Sequence, residues 1–150
     1  MYFNLSINIK RPPLDVFAFL RDKNKYPQKP GSPVLVLEQT TPGLAGVGTR
    51  YREVVRIMPF IRMEILSEVV RFERGERLEE IFNQASMKGY LAYRFVPEDG
   101  GTKLIQNEIL HMKGFLKAVT PIVKLTLSRQ LRKRLEGIKE VLESGWVVDS

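Results

Sequence analysis

The sequence predicts an α+β fold: a curved antiparallel sheet of about seven strands, in the order β-α-α-β6-α, wrapped around one long C-terminal helix. Three observations predict it. Thr120 to Ser144 repeats apolar residues at Leu127, Leu131, Leu135, Ile138 and Leu142, spacings of three and four that define a single helical face. Upstream, six successive stretches between Val34 and Met112 read as strands separated by turn residues, and strands joined by short turns pair antiparallel. A helix about 36 Å long needs a large apolar surface to lie on, and a sheet of that size needs one face covered. Each element is the natural partner of the other.

The elements follow in order. Phe3, Leu5, Ile7 and Ile9 alternate with Asn4, Ser6, Asn8 and Lys10, a strand from Phe3 to Lys10 with one buried and one wet face. Arg11-Pro12-Pro13 ends it. Leu14 to Arg21 is a short helix with Val16, Phe17 and Leu20 inward and Asp15 near its positive end. The stretch DKNKYPQKPGSP that follows is a short second helix or an irregular connection anchored by Tyr26, with its lysines and asparagines in solvent. Val34 to Gln39 is the second strand.

The glycine-rich stretch TTPGLAGVGT then invites a phosphate-binding reading. It lacks the GK[ST] ending and leads into a strand rather than a helix N-terminus, so it reads as a strand-to-strand loop. The third strand, Thr49 to about Met58, has Arg50, Arg52 and Arg56 on the solvent face, which places Tyr51, Glu53, Val55 and Ile57 inward. In the fourth, Arg62 to Glu73, the apolar phase switches, and a bulge near Ser67 reconciles the two halves. Leu78 to Gln84 is the fifth, ending at Ser86-Met87-Lys88-Gly89. Tyr90 to Val96 is the sixth, with Leu91, Tyr93 and Phe95 on one face. Pro97 to Gly101 is a hairpin turn. Thr102 to Met112 is the seventh, with Leu104, Gln106, Glu108 and Leu110 inward and His111 outward. Phe115, Leu116 and Val119 lead into the final helix, with Thr120 as its cap, Pro121 in its first turn and Gly145 as its stop. Trp146 to Val148 packs back on the body.

A chain of 150 residues with 43% hydrophobic and 27% charged residues is sized for one domain, 1–150, with a real core. It contains no cysteine, which excludes disulfides, thiolate metal sites and a cysteine nucleophile. A lone histidine, His111, gives no nucleophile–base pair, and no loop has metal-ligand spacing, so no metal and no cofactor are expected. The N-terminus alternates from the start without a basic leader or apolar core, and no window approaches a spanning helix; a cytoplasmic location is the expectation. The net charge of +7 permits transient contact with an anionic surface or membrane. Its densest cluster, Arg129, Arg132, Lys133 and Arg134, lies on the helix face opposite the apolar stripe and is followed by Glu136, Glu140 and Glu143. That arrangement reads as a solvated surface and makes nucleic acid a disfavoured partner.

The order of elements, together with INIKRPPLDVFAFLRD at the start, GVGTRYREV after the glycine loop, ILSEVVRFERGERL at the fourth turn, YRFVPEDGGTKL at the last hairpin and LEGIKEVLE in the final helix, resembles the START-like superfamily. This is the helix-grip fold of lipid-transfer domains, birch-pollen-type allergens and polyketide cyclase/dehydrase proteins, and the similarity is greatest to the last. The tryptophan that many members carry after the first helix is absent; the region around Tyr26 stands there instead.

The resemblance implies a cavity between sheet and long helix that holds a hydrophobic or amphipathic small molecule, lipid or polyketide-like. The residues expected around it are Tyr51, Glu53, Val55, Tyr93, Phe95, Gln106 and Glu108 on the strands, and Phe115, Val119, Ile122 and Val123 at a mouth near the helix start. The leucine stripe after Leu127 is expected to be structural packing. Three functions remain open: a carrier or binding module for such a molecule; an enzyme of cyclase or dehydratase type, with Glu53 or Glu108 and Tyr51 or Tyr93 in acid–base roles; and a basic interaction protein using Arg129, Arg132 and Lys133.

Overall fold

The computed structural model describes residues 1–23 and 32–147. Its elements are β1 (Tyr2–Ile9), α1 (Pro13–Arg21), β2 (Val34–Gln39), β3 (Arg50–Met58), β4 (Ile61–Glu73), β5 (Arg77–Gln84), β6 (Met87–Glu98), β7 (Gly101–Met112), α2 (Phe115–Ala118) and α3 (Thr120–Glu143). The strands form one antiparallel sheet in the order β1-β7-β6-β5-β4-β3-β2, so β2 to β7 are a meander and β1 closes onto β7. The expected second short helix and its anchor Tyr26 lie outside the described residues, as does Val148.

Curvature has a local origin. The registers of β1–β7, β5–β6 and β6–β7 run without a break, whereas β2–β3, β3–β4 and β4–β5 each carry a shift, at Val34/Val36, Arg56/Met58 and Val69/Arg71. An extra residue on one strand bends it and steepens its twist. The three shifts therefore curl the β2–β5 half of the sheet. The β4 irregularity falls at Val70, a little beyond the expected position near Ser67. Met63, Ser67 and Val69 remain buried before it, and Phe72 packs inward after it, its ring edge-on to Phe17 at 5.1 Å.

Several boundaries differ from expectation, most of them by one or two residues. Strand β6 begins at Met87, not Tyr90, because Met87 is buried in the core and pairs with both Gln84 and Met112. Thr120 does not cap α3. The N-cap is Val119, without a side-chain hydrogen bond, and the Thr120 hydroxyl donates to the Leu116 carbonyl at 3.1 Å, closing the short α2 that the sequence had suggested only as an apolar lead. The last hairpin turns on Asp99 and Gly100, with φ of +49° and +77°, the paired positive values that suit the twist of flanking strands.

Two helices cover the concave face. Helix α1 lies over β6 and β7, where Phe17 meets Phe95 edge-on at 5.3 Å. Helix α3 buries Val123, Leu127, Leu135, Ile138 and Leu142 against the rest. Its C-terminal end is tied to the chain start. Arg11 Nη1 donates to the carbonyls of Leu142 (2.7 Å) and Trp146 (2.8 Å), while Nη2 of Arg11 pairs with Asp15 at 3.0 Å. A guanidinium at a helix C-terminus both satisfies orphan carbonyls and opposes the dipole. Trp146 then stacks edge-on against Phe19 at 5.1 Å. Among the described residues no helix is long and apolar enough to cross a membrane.

Candidate functional site

The sheet and α3 do not close completely. A cavity of about 490 Å³ lies between them. On the helix side its wall is Leu127, Gln130, Leu131, Arg134, Ile138 and Val141, a single stripe at spacings of three and four. Gly137 sits flush in that wall, and a Cβ placed on it would meet nothing. On the sheet side the wall is Val55, Met63, Ile65, Phe82, Leu91 and Leu110; Pro33, Val34 and Leu37 close the β2 edge. The exposed Lys133 stands at the rim. The lining is mostly apolar, with Ser32, Gln130 and Lys133 as further polar residues, and the charged groups that reach it from within are Lys23, Glu53, Glu108 and Arg134.

Strand parity brings these charges together. Glu53 is opposite Ile65 and leaves β3 on the same side as Val55. Leu78, Glu80 and Phe82 share the inner face of β5. Glu80 is opposite Leu91, which is opposite Glu108 on β7, so the carboxylates span the concave face. Lys23, two residues past α1 and only 3% exposed, enters this layer from the side. Its Nζ lies 2.7 Å from Glu80 Oε2 and 3.9 Å from Glu53 Oε1, and 5.2 Å above the Tyr51 ring. Tyr51 Oη donates to the Arg21 carbonyl at 3.2 Å, which holds the chain between α1 and Lys23 in place.

Burial alone would pull the Lys23 pKa down, but the neighbouring Glu80 and Glu53 outweigh it and the net shift is upward. Lys23 is therefore a fixed cation rather than an amine nucleophile. Glu108 behaves oppositely. Burial pushes its carboxyl up to about 7, the negative Glu53 and Glu80 adding to the effect and Arg134 and Lys23 opposing it. Burial, then Glu80, pushes the Tyr51 phenol up to about 12. Burial likewise raises Tyr93. The site thus sets a fixed cation, Lys23, beside a carboxyl, Glu108, that changes protonation near neutral pH.

The expected site residues divide accordingly. Glu53, Val55 and Glu108 line the cavity. Tyr51, Tyr93 and Gln106 are buried in the same polar layer, behind the wall rather than on it. Phe95 belongs to the aromatic core beneath α1. None of Phe115, Val119, Ile122 and Val123 is on the cavity wall: Phe115 and Ile122 face solvent, Val119 is half-buried and Val123 is core. The reason is packing: the inward side chain of the first turns, Val123, is used up in the core, so the helix wall of the cavity begins at Leu127 and extends to Val141. The leucine stripe expected to be packing alone supplies much of the wall.

Sequence reading missed three residues. Lys23 falls in a stretch read as solvated. Glu80 was legible: it sits between Leu78 and Phe82 at the same strand parity, the signature of an inward carboxylate. Arg134 was grouped with the surface cluster, yet it lies four residues from Ile138 and seven from Leu127, on the apolar face. Arg129, Arg132 and Lys133 are exposed, as is His111. Among the described residues no group of three or more His, Cys, Asp or Glu side chains could hold a metal ion.

The comparisons agree with this architecture. A protein of Thermus thermophilus superposes with a TM-score of 0.79 at 19% identity, over 97% of this chain and 100% of its own. Ara h 8.0201 superposes with a TM-score of 0.72 at 17% identity, over 97% and 99%. A point mutant of Thalictrum flavum norcoclaurine synthase, in complex with a transition state analogue, gives 0.70 at 16% identity, over 97% and 96%. At these identities the likeness is one of fold, the helix-grip fold. No curated protein matches the sequence. The family model described as polyketide cyclase / dehydrase and lipid transport matches residues 2–143, nearly the whole chain, and the protein belongs to that family.

Proposed function

We propose that the protein binds an amphipathic small molecule, lipid or polyketide-like, in the cavity between the sheet and α3. The observation that carries this is the cavity itself: about 490 Å³, within the roughly 300–1,000 Å³ of small-molecule sites and with the usual apolar wall and few convergent polar groups. The apolar body of the ligand lies along Leu127, Leu131, Val55 and Met63. Its polar group meets Glu108, Lys23 and Arg134.

Native mass spectrometry of gently purified protein, with the same measurement on Gly137→Phe, tests this. The expected result is a co-purifying small molecule or an added fatty acid retained by the parent and lost from Gly137→Phe, whose ring fills the space beside Ile138. Equal retention by a folded Gly137→Phe would overturn it. A second reading, a cyclase or dehydratase, is favoured by one specific feature. Glu108 lines the cavity with a pKa raised to about 7, suited to a general acid at neutral pH. Turnover of a bound polyketide-like compound that Glu108→Gln abolishes without loss of binding would select it.

A further inference from the structure

One end of the molecule is built differently from the other. Strand β3 ends, β4 begins, β5 ends, β6 begins and β7 ends at the same end of the sheet, and α3 starts there, since its C-terminus is tied to Arg11 at the opposite end. Among the described residues this end holds the β3–β4 turn, the β5–β6 turn and the chain from β7 into α3, beside the starts of β1 and β2, and none of those three connecting segments carries a carboxylate there. No Asp or Glu occurs between Glu53 and Glu64, between Glu80 and Glu98, or between Glu108 and Glu136. The same segments carry exposed Arg56, Arg62, Lys88, Lys113, Lys117 and Lys124. Among those charges four apolar side chains stand in solvent: Phe60 at the β3–β4 tip (99% exposed), Phe115 on α2 (69%), and Ile122 and Leu125 on the first turns of α3 (53% and 56%).

The opposite end is a natural control. Leu44 in the glycine loop is also almost fully exposed, but that end carries Glu73, Glu76, Glu98 and Asp99. Apolar exposure alone therefore does not distinguish the two ends; charge does.

We infer that the end bearing Phe60, Phe115, Ile122 and Leu125 docks on a bilayer surface containing anionic phospholipid. The aromatic and aliphatic tips enter the headgroup layer, and the surrounding lysines and arginines meet lipid phosphates. The chemistry favours a bilayer over a protein groove. The apolar residues project from three separate elements as isolated tips, and the cations that flank them are long and flexible, suited to a fluid array of phosphates rather than to one fixed partner geometry. The inference is independent of what the cavity holds, since none of the four tips lines it.

Vesicle flotation tests it, using phosphatidylcholine vesicles with and without about 30% phosphatidylglycerol. The parent is expected to float with the anionic vesicles at low salt and to be released as salt screens the lysines. Phe60→Ser with Phe115→Ser is expected to weaken that binding about tenfold or more, and Lys117→Glu with Lys124→Glu to weaken it and flatten its salt dependence. Leu44→Ser is expected to change nothing. As a gain-of-signal variant, Phe60→Trp should blue-shift its added emission when anionic vesicles are mixed in.

No flotation with anionic vesicles, or flotation that depends on the lysines but not on Phe60 and Phe115, would overturn the inference. So would a dimer in light scattering that Phe60→Ser and Phe115→Ser dissolve, which would assign the surface to a second copy of the chain. Ligand retention measured without vesicles reads the cavity separately, so either proposal can fail alone.

Discussion

Glu108 and Lys23 respond to burial in opposite ways because their neighbours differ. At Glu108 burial outweighs the opposing charges of Arg134 and Lys23, and its carboxyl is pushed up to about 7 in the folded protein against 4.5 for the ordinary group. A group raised on folding favours the folded state fully below the unfolded pKa and loses that contribution as pH climbs through the folded one. Here the loss falls between about pH 4.5 and pH 7. Glu108→Gln should therefore match the parent in stability near pH 4 and exceed it above pH 7, by on the order of 3 kcal/mol. Parallel thermal melts across that range check this, and a constant gap would show that Glu108 is not desolvated as described. Lys23 is the reverse case, a buried cation held by Glu80 at 2.7 Å with Glu53 beyond. Lys23→Met leaves both carboxylates without it and should cost about 3–5 kcal/mol. Adding Glu80→Gln to Lys23→Met should recover part of the loss in a chemical denaturation series; no recovery would place the cost elsewhere.

Helix α3 is both a core element and a cavity wall, and two neighbouring turns separate the roles. Leu135 is fully enclosed, so Leu135→Asp buries an unpaired carboxylate and should unfold the domain, a loss comparable to its whole margin of roughly 5–15 kcal/mol. Leu131 is half-buried on the cavity wall. Leu131→Asp should lower stability less and impair ligand retention more, a split that circular dichroism and native mass spectrometry read together. Gly137 offers the opposite change. It lies inside the helix with free space beyond its Cα, so Gly137→Ala removes backbone entropy without a clash and should stabilise by up to about 1 kcal/mol. A destabilised Gly137→Ala would show that the wall is closed there.

At the scale of the whole molecule, charge and cavity are arranged along one axis. The strand tips at the start of α3 are cationic and apolar; the other tips carry the carboxylates. The cavity lies between, walled by strands from both halves of the sheet and by α3. A ligand that fills it binds only the folded state, so saturation at about a hundredfold excess over Kd should add about 2.7 kcal/mol and raise the melting temperature by roughly 5–10 °C. The shift should persist in high salt, since most of the cavity wall is apolar. A shift that vanishes with salt would mean that the ligand sits on the cationic surface instead.

Alternation and spacing were enough to determine the seven strands, the long helix, the inward faces of β3 and β7 and hence the placement of Glu53, Val55, Glu108 and Leu127. Those patterns are local: a period of two or near 3.6 is written within a single element. What the tertiary structure decided is how far one element extends over another. Whether Leu131 packs or lines a space depends on three register shifts in β2 to β5. The first turns of α3 were expected at the cavity mouth, but there Val123 packs into the core and Ile122 faces solvent, so the cavity wall starts only at Leu127. Lys23 reads as a loop cation until Glu53 and Glu80, distant in sequence, surround it. A buried charge is defined by its neighbours, and neighbours contributed by separate strands exist only once the sheet has curled.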